Sequence, residues 1–296
     1  MVTPSDAAAP GRGPSVSKLL LGLLGAGIQR SLSPALHEEE GQHHGLRLHY
    51  QLIDLDAAGV GVDVLPGLLD AARVMGFAGL NVTYPSKQAV IPLLDALSDE
   101  ARAIGAVNTI VRDGDRWVGH NTDGSGWSWG FRRALPDADL SRVVLIGAGG
   151  AGSACADAVL RLGARALVVH DQVAARAAEL AARLNGAFGG GRVHASTAPA
   201  AELDGASGII HATPTGMAKF PGLPLPEASL RAGTWVSEVV YVPLETGLLK
   251  AARRAGCRTL DGGHMAVGQA VHAFGLFTGL QADAARMDAH FRRLVR

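Results

Sequence analysis

The sequence contains few cysteines and few lysines, and its formal net charge is zero. Its two cysteines, Cys155 and Cys257, are too few for a disulfide framework or a four-cysteine metal site, so we expect small core residues in a reducing cytoplasm. The 27 basic and 27 acidic residues give a formal net charge of zero. A nucleic-acid or anionic-membrane surface needs a concentrated basic face, so the composition favours a small-molecule partner over either.

Long apolar runs are also few. The run LLLGLLGAG, at residues 19–27, continues directly into QRSLSP, and we interpret it as a buried first strand and not as a signal-peptide core. Residues 1–17 are rich in Ala, Pro, Gly and Ser and are predicted to be a disordered tail. The 296 residues, 48% hydrophobic and 18% charged, otherwise indicate two soluble globular domains.

Strand and helix patterns alternate in two successive blocks, which predicts the α/β class. In residues 18–120 short apolar strands alternate with helical stretches, one of them predicted over 88–106, and this predicts a first α/β domain. The pattern restarts at about residue 121, and residues 121–263 are predicted to form a Rossmann-type dinucleotide-binding domain. Two helical stretches in residues 264–296 have no strand left to pair with, so we expect them to pack back on the first domain.

A glycine motif marks the second block. GAGGAG satisfies G-x-G-x-x-G through Gly147, Gly149 and Gly152, with Gly150 and Ala151 completing the loop. It follows the apolar strand RVVLI and precedes the helical stretch SACADAVLRLG. This setting favours a dinucleotide pyrophosphate at a helix N-terminus, where free N–H groups attract anions, over glycines needed only for tight packing.

Asp171 ends the next strand, 24 residues after Gly147. At this spacing a carboxylate accepts hydrogen bonds from the 2′- and 3′-hydroxyls of the adenosine ribose and repels a 2′-phosphate. The nearest following cation is Arg176, on the next predicted helix. The sequence therefore favours NAD over NADP.

A lysine, Lys87, is the next-to-last residue of the stretch GLNVTYPSKQ, which begins as a buried strand at Gly79. Only four of the 27 basic residues are lysines, and an amine can exchange a proton where a guanidinium cannot. Asp123, in GHNTDGSG, lies where the first domain passes into the second, close to the expected cleft. Each residue alone has an ordinary reading, a surface lysine or a turn, but Lys87 and Asp123 together predict a general acid/base pair.

Two hydroxyls, Ser31 and Ser33, precede Pro34 at a predicted helix start. In extended backbone they point the same way and can bind a carboxylate beside helix-terminal N–H groups; capping of the helix by Ser33 is the compatible alternative. The following HEEEGQHH lacks the H-E-x-x-H spacing, so we expect His43 and His44 on a solvated face and no metal site.

The order of four motifs, SLSP, NVTYPSK, GAVNT with NTDGSG, and GAGGAG, resembles that of the shikimate dehydrogenase family. The chain is more similar to the quinate/shikimate dehydrogenase branch. The resemblance extends from about residue 19 to the C-terminus and includes ATPTGM (212–217), VVYVPLET (239–246) and GHMAVGQA (263–270).

The resemblance implies that residues 18–120 form the substrate-binding catalytic domain, and it implies a role for each matching residue. Lys87 would take the proton of the substrate's C3 hydroxyl while C3 gives a hydride to the cofactor, and Asp123 would orient the lysine and the substrate. The substrate-binding residues that it implies are Ser31, Ser33, Thr83, Asn108, Thr122, Tyr241 and Gln269. The cofactor contacts that it implies, besides Asp171 and the glycine loop, are Thr213, Gly216, Met217, Val240 and Gly263.

Two positions and one short run depart from the family pattern. His211 and Glu238, neither of them at a catalytic position, replace the usual Asn and Asp near the cofactor. The run HDQ replaces the Asn-Arg-Thr-like run of NADP-dependent members and agrees with the preference for NAD.

The implied activity is the oxidation of shikimate, and of quinate, by a monomer or a homodimer. Ser33 stands where quinate-active members often have Thr, which favours shikimate, whereas the branch resemblance favours dual use. The alternatives are an aminoshikimate dehydrogenase, an NADP-dependent biosynthetic shikimate dehydrogenase, and a non-catalytic NAD-binding regulatory protein. The last predicts loss of Lys87 or Asp123, and both are present.

Overall fold

Short apolar strands form two sheets of six strands each in the part of the chain that the structure, a computed structural model, describes, residues 18–295. The predicted disordered tail, residues 1–17, lies outside the described residues. The strands of the first sheet are β1 Lys18–Gly25, β2 Arg47–Asp54, β3 Gly79–Val82, β4 Ala96–Leu97, β5 Thr109–Asp113 and β6 Arg116–His120. Those of the second are β7 Val143–Ile146, β8 Leu167–His170, β9 Val193–Ala195, β10 Gly208–His211, β11 Trp235–Glu238 and β12 Arg258–Leu260.

Helices connect these strands and cover both sheets. Those among the strands of the first sheet are α1 Ser33–His43, α2 Leu55–Ala58, α3 Leu65–Met75, α4 Ser86–Ala89 and α5 Asp99–Ile104. The remainder are α6 Asp123–Ala134, α7 Gly150–Arg161, α8 Ala174–Phe188, α9 Pro199–Glu202, α10 Gly247–Arg254, α11 Gly262–Thr278 and α12 Ala284–Leu294. Between residues 18 and 295, no helix combines the length and apolar content needed to span a bilayer.

The first sheet has the strand order β2-β1-β3-β5-β6-β4. Strand β1 pairs in parallel with β2 and β3, while β5 runs antiparallel to both β3 and β6. Its centre is filled by apolar residues with almost no exposure, among them Leu24, Leu80 and Ile110. The run LLLGLLGAG therefore supplies an internal strand, as its apolar character predicts.

The second sheet is wholly parallel, in the order β12-β11-β10-β7-β8-β9. The strand order reverses between β7 and β10, and in such sheets ligands bind in the crevice beyond the carboxyl ends of the strands at this point. The glycine motif follows β7 and opens α7. The predicted α/β class with a Rossmann-type unit is confirmed.

The single helix predicted over residues 88–106 is wrong. The segment contains α4, a 3-10 turn at Ile91–Leu93, the two-residue strand β4 and α5. Pro92 cannot donate a backbone hydrogen bond inside a helix, and Ser98 caps the N-terminus of α5 by accepting from Ala101 N–H at 3.2 Å. Pro92 and the Ser98 cap therefore divide the segment into several short elements.

Helices α6 and α11 cross with their backbones in contact. A Cβ atom placed on Gly126 would lie 2.3 Å from the Gln269 nitrogen, and one on Gly268 would lie 2.5 Å from the Gly126 oxygen. One turn further along α6, a Cβ on Gly130 would lie 2.6 Å from the Cβ of His264. Only glycines allow this approach, which fixes α11 beside the start of α6.

The C-terminal helices pack against α1. In this contact Glu40, almost fully buried, accepts from Arg286 Nε at 2.8 Å and Nη2 at 2.6 Å. Burial raises the pKa of Glu40, but the bonds from Arg286 and the Asp283 N–H outweigh it and lower that pKa below its ordinary value. This pair joins α12 to α1 across 246 residues of sequence.

His37 lies wholly inside the protein, stacked on Tyr50 with ring centroids 4.9 Å apart. Neither ring nitrogen has a hydrogen-bond partner within the described residues. Burial lowers the pKa of His37 to about 4, although the charge of Glu40 opposes this. The imidazole is therefore neutral at pH 7.

We predict that His37 makes the protein less stable in mild acid. His37 takes up a proton near pH 6.5 in the unfolded chain and near pH 4 in the folded protein. The free energy of unfolding therefore decreases as the pH falls from 6.5 towards 4, by roughly 2 kcal/mol at pH 5. His37→Phe, which keeps the stacking, should remove this loss in urea unfolding measured from pH 7.5 to 4.5. The exposed His194, changed to Phe, serves as control and should keep the wild-type slope. A wild-type slope in His37→Phe would contradict the prediction.

Candidate active site

Lys87 and Asp123 form an ion pair. Lys87 lies in α4, directly after β3, and its carbonyl accepts from Val107 N–H at 2.8 Å. Asp123 is the first residue of α6. The Lys87 Nζ and Asp123 Oδ2 atoms are 2.5 Å apart, and the side chains are 19% and 7% exposed. The two residues predicted to be catalytic therefore touch, in a site that water reaches only in part.

Amide groups fix the Asp123 carboxylate. Asn108 Nδ2 donates to Asp123 Oδ1 at 2.9 Å and to Thr122 Oγ1 at 2.9 Å. The Asp123 N–H donates to Asn121 Oδ1 at 3.0 Å. Asn108 and Thr122, both predicted to bind substrate, thus contact the catalytic pair directly, and Asn108 uses both amide hydrogens to do so.

A buried polar chain continues away from Asn108. The Thr109 hydroxyl donates to Asn108 Oδ1 at 2.9 Å, Asn81 Nδ2 donates to Thr109 Oγ1 at 3.0 Å, and the Tyr50 hydroxyl donates to Asn81 Oδ1 at 2.7 Å. Tyr50, Asn81 and Thr109 are absent from the residues predicted above. The one available signal was a lone amide, Asn81, inside the apolar strand GLNV, since buried polar groups need partners.

The Ser31 and Ser33 hydroxyls lie beside Tyr50. The N-cap position of α1 is Leu32, without a side-chain cap, so capping by Ser33 is not what the structure shows. The Ser31 hydroxyl donates to Ser33 Oγ at 3.2 Å. Burial raises the pKa of Tyr50, a hydrogen bond with Ser33 lowers it, and the neighbouring Tyr241 phenol raises it further. Ser33 therefore adjoins Tyr50, the end of the polar chain that leads to Asp123.

The two other predicted substrate residues, Thr83 and Gln269, belong to different segments. Thr83 follows β3, four residues before Lys87, and its N–H donates to the Leu24 carbonyl at 2.9 Å. Gln269 belongs to α11 and is held beside α6 by the backbone contact at Gly126. Its side chain donates to the Ala266 carbonyl at 3.0 Å and is half-buried.

The glycine loop fits a dinucleotide pyrophosphate. Gly147 has φ +105°, which favours glycine, and a Cβ there would lie 2.6 Å from the Ala212 oxygen. A Cβ on Gly152 would lie 1.9 Å from the Gly147 oxygen, whereas nothing lies within 4 Å of one on Gly149. The loop is therefore tightly packed at Gly147 and Gly152 and uncrowded at Gly149. Gly150 and Ala151 begin α7, and the first N–H groups of this helix are free to bind an anion.

Asp171 lies at the same edge of the second sheet. Its Oδ2 accepts from Ala148 N–H at 2.8 Å and its Oδ1 from Val173 N–H at 2.9 Å. A carboxylate oxygen accepts two hydrogen bonds, so each oxygen keeps a position for a ligand hydroxyl.

Residues from three segments surround the other end of the crevice. The Thr213 methyl would lie 2.9 Å from a Cβ on Gly147, and Gly216 N–H donates to the Phe220 carbonyl at 2.7 Å. The Val240 carbonyl abuts Gly262, at the start of α11. Two more predicted cofactor residues complete this group, Met217, 39% exposed, and Gly263, buried.

The Lys87–Asp123 pair adjoins the glycine loop. A Cβ placed on Gly150 would lie 3.4 Å from Lys87 Cδ. The lysine of the first sheet therefore contacts the helix that follows the glycine motif of the second. Within residues 18–295 no three His, Cys, Asp or Glu side chains are grouped as a metal site, and both cysteines are free and buried, which confirms their prediction as core residues.

Comparison with known proteins agrees with this geometry. Residues 23–110 match the family described as the shikimate dehydrogenase substrate binding domain. The chain is 57% identical over 279 residues to a shikimate dehydrogenase (NADP(+)) of Streptomyces avermitilis, covering 93% of this chain and 96% of that protein. It is 48% identical over 279 residues to a quinate/shikimate dehydrogenase (NAD(+)) of Corynebacterium efficiens, covering 93% and 98%.

The chain belongs to the shikimate dehydrogenase family. A solved structure, the quinate dehydrogenase of Corynebacterium glutamicum in complex with NAD, matches with a TM-score of 0.86 and 45% identity and covers 94% of this chain and 99% of that one. As a member of this family, the protein is an oxidoreductase that acts on CH–OH groups with a nicotinamide dinucleotide.

We predict that Gly152→Ala weakens dinucleotide binding. The added methyl group overlaps the Gly147 oxygen, and relieving an overpacked contact costs about 1–3 kcal/mol, equivalent to roughly a ten- to hundredfold rise in Kd. NADH fluorescence titration measures this. The control is Gly186→Ala in α8, where nothing lies within 4 Å of the new Cβ; it should bind normally and fold at least as stably as wild type. Equal affinities for the two variants would contradict the prediction.

Proposed function

We propose that this member of the shikimate dehydrogenase family catalyses the reversible, NAD-dependent oxidation of shikimate to 3-dehydroshikimate and of quinate to 3-dehydroquinate. The observation that carries the proposal is the Lys87–Asp123 pair, whose lysine contacts the helix after the glycine motif. A proton acceptor and a dinucleotide-binding loop in contact are the two parts that alcohol oxidation requires.

Lys87 transfers the proton, and Asp123 stabilises the charge that Lys87 gains. Bound NAD supplies the acceptor for the hydride that leaves C3 of the substrate. Lys87, as the neutral amine, takes the proton of the C3 hydroxyl, and the C3–O bond becomes a carbonyl. Asp123 stabilises the resulting ammonium at 2.5 Å, and Asn108 keeps the carboxylate turned towards it. In the reverse direction Lys87 returns the proton.

The remaining polar side chains hold the substrate. Ser31 and Ser33 bind its carboxylate, and Thr83 supports this end. Thr122, Tyr241 and Gln269 contact the ring hydroxyls, and Asn108, whose amide hydrogens bond to Asp123 and Thr122, holds those two residues in place. Hydroxyl and amide groups suit this task because they donate and accept hydrogen bonds without adding a charge that would compete with Lys87.

NAD is the preferred cofactor in this proposal. Asp171 has acceptor positions for ribose hydroxyls, and its negative charge opposes a 2′-phosphate. The relatives are divided, since the Streptomyces protein is named for NADP(+) and the Corynebacterium protein for NAD(+). Cytoplasmic location and a monomeric or homodimeric state stay predictions.

Lys87→Ala should reduce kcat by roughly a hundredfold or more, the usual contribution of a general acid/base, and leave KM nearly unchanged. Lys18→Ala is the matched control, because Lys18 is exposed at the first residue of β1, away from the carboxyl ends of the strands. Initial rates with shikimate and NAD give both parameters. Near-normal turnover in Lys87→Ala would remove Lys87 from the mechanism.

Initial rates for shikimate and quinate, each with NAD and with NADP, test the whole proposal. We expect turnover of both acids with NAD and a clear preference for NAD over NADP. Faster turnover with NADP would contradict the role of Asp171 and favour the NADP-dependent biosynthetic alternative. Turnover of an aminoshikimate alone would favour aminoshikimate dehydrogenase, and no cofactor reduction with any acid would favour the non-catalytic alternative.

A further inference from the structure

His211 and Glu238 form a fully buried pair beneath the cofactor crevice. They are the last residues of β10 and β11 and are direct partners in the parallel register. The His211 Nδ1 and Glu238 Oε1 atoms are 2.8 Å apart, and neither side chain has any exposure. The carboxyl ends of these strands form the edge at which the proposed function places NAD.

Two hydrogen bonds link Glu238 to the loop that follows β11. Its Oε1 also accepts from Val240 N–H at 3.0 Å, and its Oε2 accepts from the Thr246 hydroxyl at 3.0 Å. Thr246 in turn caps α10, accepting from Leu249 N–H at 3.3 Å. One carboxylate therefore fixes both ends of the segment 240–246.

The His211 imidazole forms a hydrogen bond with the loop that follows β10. Since Glu238 is an acceptor, His211 Nδ1 carries a hydrogen, and Nε2 meets the Thr213 hydroxyl at 2.5 Å. Thr213 Oγ1 also accepts from Thr215 N–H at 3.3 Å. Thr213 and Val240, two of the cofactor contacts that the family resemblance implies, are thus held by the same buried pair.

We propose that His211 and Glu238 are a positioning pair that aligns the loops 212–217 and 239–246 for the nicotinamide end of the cofactor. The inference rests on the proposed function only for the placement of NAD at this edge. A buried ionisable pair is costly unless each polar atom is satisfied, and here the ring nitrogens and carboxylate oxygens all have partners. Losing either member leaves the other unpaired and frees both loops.

The test separates the two ends of the cofactor. ADP-ribose contains the adenosine, pyrophosphate and second ribose of NADH but has no nicotinamide. His211→Ala and the isosteric Glu238→Gln should raise Kd for NADH by roughly tenfold or more, while Kd for ADP-ribose stays within about twofold of wild type. NADH fluorescence and calorimetry with ADP-ribose give these constants, and circular dichroism confirms that each variant is folded.

A double-variant cycle tests whether the pair acts through Thr213. Thr213→Val keeps the side-chain volume and removes the hydroxyl without opening the buried pair. If His211 acts through that hydroxyl, His211→Ala combined with Thr213→Val should weaken NADH binding no more than His211→Ala alone. Independent effects that add in the double variant would overturn the link.

The outcomes distinguish this inference from the proposed function. NADH binding that is normal in both His211→Ala and Glu238→Gln, or an equal loss for NADH and ADP-ribose, would overturn the positioning role and leave the proposed activity standing. A wild-type protein that binds no NADH would overturn the proposed function and this inference together.

Discussion

The close crossing of α6 and α11 is the constraint on which the site depends. Glycines at 126 and 268 bring the two backbones into contact, and Asp123 lies one turn before the first of them. The same crossing holds Gln269 beside the site and leads α11 back from the second sheet to α1. A side chain at either glycine would separate the helices, and the catalytic carboxylate would move with α6.

Around this crossing the polar groups of the site are fixed by one another. A continuous run of hydrogen bonds joins Tyr50, Asn81, Thr109 and Asn108 to the Asp123 carboxylate. Such a run is stabilising when every member is satisfied and costly when one is lost. Its burial also explains why the lysine and its partner keep one geometry in a cleft between two sheets.

Local sequence patterns predicted much of the fold and the site, but they did not predict contacts between segments that are far apart in sequence. The alternating blocks, the glycine loop and the Lys87–Asp123 pairing were predictable because strand ends and spacing place them. Pro92 signals a break in the segment 88–106, but the apolar spacing of the segment favoured one continuous helix. Tyr50 and the Glu40–Arg286 pair were not predictable, since their partners lie far away in sequence and only packing brings them together.

The Glu40–Arg286 contact has a consequence for biosynthesis. Helix α1 carries the serines of the site, yet its buried carboxylate is neutralised by a residue close to the C-terminus. The second sheet lies between α1 and α12 in sequence, so its strands are synthesised before Arg286. Until Arg286 leaves the ribosome, the helix that carries the serines has a glutamate without its cationic partner.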